Sequence, residues 1–316
     1  MSKRRSESIG IEGKLAGSSK RSHGESTDGR SHGTHRDSAA GHRDGWGPKT
    51  YEERKITEDR AAPSGSAGDQ SSRGKHVFDT NVLDHCETPR AAYEHLREFL
   101  EVMGQSMKMP TASLRVWDPY YCDGTMKRIL TDMGFTNIIH DNEDFYQLIE
   151  KKSIPPHEIL VTNPPYSEDH IHRLLEFVIG TEIPKRRPVC LLLPNWVSRQ
   201  PDYEERFANP VAQNQNELFY LGPVEPYAYT FPPFVHQKDR PEHVGASGKT
   251  TPYLSSWYLV VPASFSRDSF LEMMDSVARQ QKPKAWVVAR TVKGLKWKMK
   301  KVRQNRKAIE AGKNKK

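Results

Sequence analysis

The pattern of hydrophobic and polar positions divides the chain into three regions. Residues 1–75 show almost no apolar periodicity and are rich in Ser, Gly, Arg, His and Asp, which predicts a disordered polar extension. Residues 76–290 alternate short apolar runs with amphipathic stretches, as a single α/β domain does. Within this domain, the segment at about 222–255 is rich in Pro, Tyr, Phe, His and Gly and predicts a long insertion. Residues 291–316 are predicted to form a basic tail.

The individual runs predict a mostly parallel sheet flanked by helices. Short runs that are apolar throughout are typical of strands buried on both faces. They predict strands at 114–117, 136–140, 159–161, 188–194, 217–221, 256–261 and 285–289. Helices are predicted at 92–103, 125–133, 169–180, where Gly180 is the expected stop, and 202–208. The strands at 217–221 and 256–261 are predicted to be an antiparallel pair that closes the sheet.

Composition and charge narrow the class of protein. The net charge of +8 divides into +4 for residues 1–75, −6 for residues 76–292 and +10 for residues 293–316, so a nucleic-acid partner would be gathered largely by the ends. The three cysteines form no C-x-x-C pair, which favours a reducing compartment. We expect neither a membrane span nor a secretory signal. We expect no metal site either, because His140 has no His or Cys at ligand spacing.

The most informative stretch is Asn163-Pro164-Pro165-Tyr166, which follows the apolar run 159–161. The Asn163 side-chain oxygen and the Pro164 carbonyl are hydrogen-bond acceptors, and neither proline has an N–H. Each proline holds the preceding residue extended, so the acceptors are presented in a fixed arrangement. Two acceptors aimed at the protons of a poorly nucleophilic amine would draw its nitrogen toward a reactive, tetrahedral geometry. Tyr166 offers a flat surface on which an extruded base can stack.

This stretch resembles the catalytic loop of S-adenosylmethionine-dependent methyltransferases that modify amino or amide nitrogens. The resemblance implies a Rossmann-like class I methyltransferase sheet, mostly parallel with an antiparallel closing strand. It also implies catalytic roles for Asn163, Pro164, Pro165 and Tyr166, as in NPPY-type enzymes that methylate adenine. The implied reaction is direct attack of the amine on the sulfonium methyl of S-adenosyl-L-methionine, with catalysis supplied by orientation. The resemblance covers roughly residues 80–262.

An upstream sequence, Asp-Pro-Tyr-Tyr-Cys-Asp-Gly, resembles the Asp-Pro-x-x-Gly-x-Gly motif of the same family. A turn at the carboxyl end of a strand, followed by a helix N-terminus, brings backbone N–H groups to a nucleotide-type ligand. Asp118, Pro119 and Gly124 match the motif, and the resemblance makes them and Tyr120 candidate cofactor ligands. Cys122 stands where the first glycine is expected, and its side chain is expected to narrow the pocket.

Other residues resemble further cofactor contacts of the family. Thr88 and Pro89 precede a helix, as does the Thr-Pro that helps to hold the methionine part of the cofactor. Asp141 ends a predicted strand and is a candidate ribose ligand. Asp144 with Phe145 is a candidate contact for the adenine of the cofactor. Only a few residues separate these two elements, which indicates that one strand–helix unit is compressed or lost.

The basic end of the chain interleaves cations with an aromatic residue, a pattern suited to phosphate contacts combined with stacking. The candidate nucleic-acid-binding residues are Lys296, Trp297, Lys298, Lys300, Lys301 and Arg303. A solvated tail and a nuclear or nucleolar address are the alternatives. The cluster Lys3-Arg4-Arg5 is interpreted as a nuclear address, a phosphate-binding arm or a merely solvating tail. Together, the two basic segments favour a nuclear or nucleolar location over the cytoplasm.

Three functions stay open at this point. The favoured one is methylation of adenine in RNA or DNA, which the basic tail and the aromatic insertion both fit. The second is a protein glutamine-amide methyltransferase, because an amide needs the same two acceptors. The third is a non-catalytic scaffold, suggested by Cys122. The aromatic residues of the insertion line a pocket for a flipped base or anchor a surface loop; they are Tyr227, Tyr229, Phe231 and Phe234.

Overall fold

The computed structural model describes residue 84 and residues 86–231, 249–250, 254–263, 267–281 and 284–313. The polar extension predicted for residues 1–75 lies outside the described residues, as does Phe234 of the insertion. Among the described helices, none has both the length and the apolar character needed to cross a membrane.

Among the described residues, helices and strands alternate as far as the strand Asn216–Pro223, which is the first of four successive strands before the helix Arg267–Gln280. The helices are α1 (Arg90–Ser106), α2 (Thr125–Asp132), α3 (Phe145–Glu150), α4 (His170–Phe177), α5 (Asn209–Gln213), α6 (Arg267–Gln280) and α7 (Val292–Lys313). The strands are β1 (Val116–Trp117), β2 (Ile138–Ile139), β3 (Ile159–Thr162), β4 (Val189–Pro194), β5 (Asn216–Pro223), β6 (Tyr229–Thr230), β7 (Lys249–Thr250), β8 (Ser255–Pro262) and β9 (Trp286–Ala289).

Seven of the strands form one sheet in the order β2-β1-β3-β4-β8-β5-β9. The pairs β1–β2, β1–β3 and β3–β4 are parallel, whereas β4–β8, β5–β8 and β5–β9 are antiparallel. The predicted α/β class and the antiparallel pair β5–β8 are confirmed. The antiparallel part is larger than predicted because β9 also pairs with β5, so the parallel strands occupy one end of the sheet. Strands β6 and β7 form a separate two-stranded antiparallel sheet.

Both faces of the sheet are covered by helices, as strands that are apolar throughout require. Successive side chains of a strand point to opposite faces, and β3 shows this directly. Ile159 and Val161 pack in one hydrophobic layer with α1, α2 and α6. Leu160 packs in the other layer with α3, α4, α5 and α7.

The region predicted as a basic tail is the 22-residue helix α7, which packs on the sheet. Leu295 is 1% exposed, and Met299 and Val302 are partly buried against the same layer. These three residues recur at helical spacing, but the cations between them hide the pattern in the sequence. The helix lies so close to β5 that a Cβ on Gly222 would be 2.9 Å from the Leu295 Cδ2.

Two other helix predictions differ from the structure in their bounds. Helix α4 ends at Phe177, and a π-helical turn continues the chain over Val178–Glu182, so Gly180 lies inside a helical segment and does not stop it. The short helix predicted at 202–208 is a π-helical turn over Glu204–Ala208 that leads into α5.

Candidate active site at the carboxyl edge of the parallel strands

Three polar residues lie at the ends of three neighbouring parallel strands. Asp118 follows β1, His140 follows β2 and Asn163 follows β3. Parallel strands end at one edge of a sheet, so these residues meet there. A cavity of about 670 Å³ opens at this edge and is lined by all three. Its size falls within the range of about 300–1,000 Å³ that is usual for small-molecule sites.

The cavity brings together most of the residues that the sequence marks as candidates. Its lining includes Thr88, Asp118, Pro119, Tyr120, Gly124, Asp144, Phe145, Asn163 and Pro165. Four candidates, namely Pro89, Asp141, Pro164 and Tyr166, are not among its lining residues. Cys122 also lines the cavity, and the cavity measures about 670 Å³ with this side chain in place. The cysteine therefore does not fill the space.

Asp118 is held rigidly at the base of the cavity. The side chain is buried, and its Oδ1 accepts hydrogen bonds from the Thr162 hydroxyl at 2.6 Å and from the Tyr120 N–H at 3.1 Å. Burial raises the pKa of Asp118, while the neighbouring His140 and these two hydrogen bonds oppose the rise. The His140 Nδ1 lies 3.8 Å from the other carboxylate oxygen. The sequence did not single out Thr162, although its position beside Asn163 at a strand end was a usable indication.

The turn after Asp118 needs glycine at its last position. Gly124 has φ = 84°, in the left-handed region, and a Cβ there would lie 3.3 Å from the Tyr121 hydroxyl oxygen. The Asp123 Oδ1 accepts the Thr125 N–H at 2.8 Å and so fixes the start of α2. Because Gly124 has no side chain, its backbone itself lines the cavity at the point where the motif predicts contact with the cofactor.

A pair of carboxyl groups, Glu87 and Asp123, lies in the cavity wall and was not predicted. Their side chains hydrogen-bond to each other, which requires one shared proton. Burial and then the contact with Asp123 raise the pKa of Glu87 to about 8. Burial alone would raise the pKa of Asp123, but hydrogen bonds from Glu87 and Thr125 lower it below its usual value. The Glu87 N–H also donates to the Thr230 carbonyl at 2.8 Å, which ties this wall to the insertion.

The cavity as a whole is acidic. Seven carboxyl groups and one arginine are among its lining residues: Asp84, Glu87, Asp118, Asp123, Glu143, Asp144, Glu168 and Arg173. A wall of this charge favours a cationic ligand. Glu143 lines the cavity and Asp141 does not, so the carboxylate that reaches the cavity after β2 lies two residues beyond the predicted ribose ligand.

An aromatic wall stands between α3 and α4. The Tyr120 and Tyr146 hydroxyl groups lie 3.1 Å apart, and the Tyr146 hydroxyl is also hydrogen-bonded to His170 Nδ1. The Arg173 guanidinium carbon lies 3.4 Å from the centroid of the Tyr146 ring. The His170 ring is also stacked beside Tyr146, with centroids 5.6 Å apart, so this wall combines aromatic rings, hydrogen-bonding groups and a cation.

The two residues predicted to contact adenine also have structural roles. Phe145 is 2% exposed, and its ring packs edge-on against Phe177 and Tyr120 with centroid distances of 5.1 Å each. The Asp144 side chain caps α3 by accepting the Tyr146 N–H at 2.8 Å and the Gln147 N–H at 3.4 Å. Both line the cavity, so a contact with a ligand would be added to these interactions.

The loop that contains Asn163 is fixed by side-chain hydrogen bonds. The Tyr166 hydroxyl donates to Asn163 Oδ1 at 2.7 Å, with the Leu192 carbonyl at 3.1 Å as an alternative acceptor. The Tyr166 N–H donates to Asp84 Oδ1 at 3.2 Å, and Tyr229 also hydrogen-bonds to the Tyr166 side chain. The hydroxyl of Tyr166 thus orients the Asn163 amide, a role that the sequence did not predict. One lone pair of the Asn163 oxygen is left for another donor.

The described aromatic residues of the insertion serve as anchors. Tyr227, Tyr229 and Phe231 are between 2% and 4% exposed, and none of the three is a lining residue of the cavity. The Tyr227 hydroxyl lies 3.0 Å from His95 Nδ1 on α1. For these three side chains, the structure agrees with the anchoring of a loop.

Comparisons with known proteins leave the site to be interpreted on its own geometry. No protein-family model and no curated protein matches the chain. Among solved structures, the chain is similar to the crystal structure of protein LPL1258 from Legionella pneumophila, whose title gives the family model DUF519. The identity is 9%, the match covers 68% of this chain and 87% of that chain, and the TM-score is 0.32. A likeness at this level carries no argument about activity.

Proposed function

We propose that the protein is an S-adenosylmethionine-dependent N-methyltransferase that acts on the exocyclic amine of adenine in RNA or DNA. The observation that carries the proposal is one cavity lined both by the turn from Asp118 to Gly124 and by Asn163. A methyl donor held by the turn and an amine held by Asn163 would therefore lie side by side. The mixed α/β sheet is compatible with a Rossmann-like class I methyltransferase fold, which this proposal requires.

The lining residues fit S-adenosyl-L-methionine in size and charge. The cofactor carries a sulfonium and an ammonium group, and seven carboxyl groups line the cavity. Thr88, Asp118 and Gly124 would hold its methionine part, and the wall with Tyr146 would take its adenine. When bound, the cofactor supplies a methyl group on a positively charged sulfur, which is a reactive electrophile.

The chain itself would hold and orient the amine. Asn163 Oδ1 would accept one of its protons, and the Tyr166 hydroxyl keeps the amide of Asn163 turned for this contact. The second acceptor predicted from the sequence, the Pro164 carbonyl, belongs to a residue that does not line the cavity. Pro165 stiffens the loop between Asn163 and Tyr166. Fixed acceptors of this kind lower the barrier because they need no reorganisation at the moment of reaction.

A titration with S-adenosyl-L-methionine and its demethylated product tests the cofactor site. We expect micromolar binding to the wild type and a tenfold to hundredfold loss for Asp118→Asn, because a charge-assisted contact contributes about 1.5–3 kcal/mol. Asp141→Asn is the matched control. Because Asp141 does not line the cavity, the affinity of this variant for the cofactor should equal that of the wild type. A wild type that binds neither molecule refutes the proposal, and the non-catalytic scaffold then becomes the leading interpretation.

Methyl transfer to adenine-containing RNA and DNA oligonucleotides tests the amine site. Asn163→Ala should lower the turnover rate by about 10²–10³, as the loss of one fixed transition-state contact does, with cofactor affinity unchanged. A variant with wild-type turnover would remove Asn163 from the mechanism.

The acidity of the cavity favours a second candidate, a protein glutamine amide, because seven carboxyl groups repel phosphate. A glutamine-containing peptide assayed in parallel with the oligonucleotides separates the two substrates. The nuclear or nucleolar location stays a prediction that imaging of the tagged full chain checks.

A further inference from the structure

The cations of helix α7 fall into two groups that the sequence does not separate. The inner cations have fixed partners: Lys298 Nζ lies 2.7 Å from Asp275 Oδ2, the Arg303 Nε donates to the Val224 carbonyl at 2.6 Å, and Arg306 Nη1 lies 3.2 Å from Glu225 Oε1. These contacts fasten the helix to the body of the domain. Two of the candidate nucleic-acid-binding residues, Lys298 and Arg303, are thus already engaged.

The outer cations are exposed and form no ion pair with any residue that the structure describes. They are Lys293, Lys296, Lys300, Lys301 and Lys307. At 100° per residue, the five fall within about 140° of the helix circumference, and at 1.5 Å per residue they extend over about 21 Å. We call this surface, together with Trp297, the outer stripe. These lysines share one side of the helix, with about 9 Å along the axis between Lys301 and Lys307.

Trp297 lies within the outer stripe and is 61% exposed. The Lys301 Nζ is 5.0 Å from the centroid of its ring, so one face is in contact with a cation. An exposed tryptophan contributes little to the core, since α7 already buries Leu295 on its inner side. A ring that is surrounded by lysines is suited to stack on an unpaired base while the lysines contact phosphates.

The helix also points toward the candidate active site. Strands β4 and β5 are both antiparallel to β8, so they run in the same direction, and β5 ends at the edge of the sheet where Asn163 lies. Leu295 lies beside Gly222, near the end of β5, and Arg303 binds Val224 just beyond it. Strands β3 and β5 are three strand spacings apart, about 14 Å.

We propose that the outer stripe binds the phosphate backbone of a single-stranded nucleic acid, with Trp297 stacked on one of its bases. The inference deepens the proposed function by giving its nucleic-acid partner a surface on the helix that packs beside β5, a strand about 14 Å from β3 within the sheet. It commits to a nucleic acid because positive charge alone would fit any polyanion, whereas an exposed ring among the lysines suits a strand with accessible bases.

The test measures fluorescence anisotropy of a labelled 20-nucleotide RNA with the full-length protein over a range of salt concentrations. The triple variant Lys296→Gln, Lys300→Gln, Lys301→Gln should bind about 10²-fold more weakly at 0.1 M salt. The slope of log K against log salt should fall by about 2, because each lost contact with a single strand contributes about 0.7. Trp297→Ala should weaken binding about fivefold or more and leave that slope unchanged.

The matched control is the triple variant Lys127→Gln, Lys152→Gln, Lys185→Gln, which removes the same charge from exposed lysines elsewhere. We expect its affinity to stay within twofold of the wild type. The proposal is overturned if both triple variants lose affinity equally, or if the outer-stripe variant binds as the wild type does. Equal competition by polyglutamate would also overturn it, because the surface would then bind any polyanion. Cofactor affinity, measured on the same variants, should not change, so a failure here is separate from a failure of the methyltransferase site.

Discussion

Replacing Leu295 by Ala tests whether α7 belongs to the folded core. Leu295 is 1% exposed and packs against β5, where a Cβ on Gly222 would be only 2.9 Å from it. Truncation therefore removes buried carbon atoms and leaves a space that the neighbouring strand fills only in part. Leucine-to-alanine changes at such sites cost about 2–5 kcal/mol, through lost burial and the remaining cavity.

The matched control for Leu295→Ala is Ile309→Ala, on the same helix. Ile309 is 60% exposed and loses the same number of carbon atoms, so we expect a change within about 0.5 kcal/mol. Both variants also change helix propensity in the same direction, because alanine is the better helix former. The difference between them thus reports the packing of Leu295 and not the loss of three side-chain carbon atoms in general.

Thermal unfolding followed by circular dichroism and tryptophan fluorescence gives the measurement. For a domain of this size, about 1 kcal/mol corresponds to about 2–4 °C, so Leu295→Ala should lower Tm by about 4–20 °C. The Ile309→Ala midpoint should stay within about 2 °C of the wild type. If the two variants unfold at the same temperature as the wild type, α7 does not pack on the sheet, and the outer stripe loses its fixed geometry.

Two further predictions concern the wall of the cavity. The pKa of Glu87 is raised to about 8, so the carboxyl pair with Asp123 gains negative charge as the pH rises. Cofactor affinity should increase between pH 6.5 and 9 in the wild type and be flat in Glu87→Gln, and equal pH profiles in titrations would contradict this. The stability that comes from neutral Glu87 is present below its unfolded pKa and is lost as the pH rises through about 8. Thr162→Val removes the hydroxyl that donates to Asp118 at 2.6 Å, which should cost about 1.5–3 kcal/mol in urea unfolding at pH 7, and an unchanged midpoint would refute the role of this bond.

The apolar strands could be predicted from the sequence because their burial on two faces leaves little choice of residue. β4 starts one residue from its predicted position and ends where predicted, and β5 and β8 pair as expected. Helix α2 begins at the predicted Thr125 because Gly124 can take the positive φ that the turn requires. The edge that carries Asp118 and Asn163 then follows from the parallel order of β1 and β3.

Contacts between distant segments could not be predicted in this way. The pairing of Glu87 with Asp123 joins residues that are far apart in sequence, and no local pattern indicates it. After β2, the sequence has several carboxylates in a short stretch, and only the path of the turn decides that Glu143 lines the cavity and Asp141 does not. Side-chain direction within an irregular turn has no periodicity from which it can be inferred.

The acidic cavity and the basic helix make opposite demands on a nucleic acid, and their separation reconciles them. Carboxyl groups suit a cationic cofactor but repel phosphate, whereas the outer stripe attracts phosphate. Strand β3, which leads to the cavity, and strand β5, on which α7 packs, are about 14 Å apart, and the Debye length is about 8 Å at physiological ionic strength. The proposed phosphate contacts on α7 would therefore feel a largely screened repulsion from the cavity. An extruded adenine is neutral, so it can enter the acidic cavity while its backbone stays outside. This division of charge fits a substrate that carries its target amine on an uncharged group and its negative charge elsewhere along the chain. It fits less well a substrate whose negative charge lies at the amine itself.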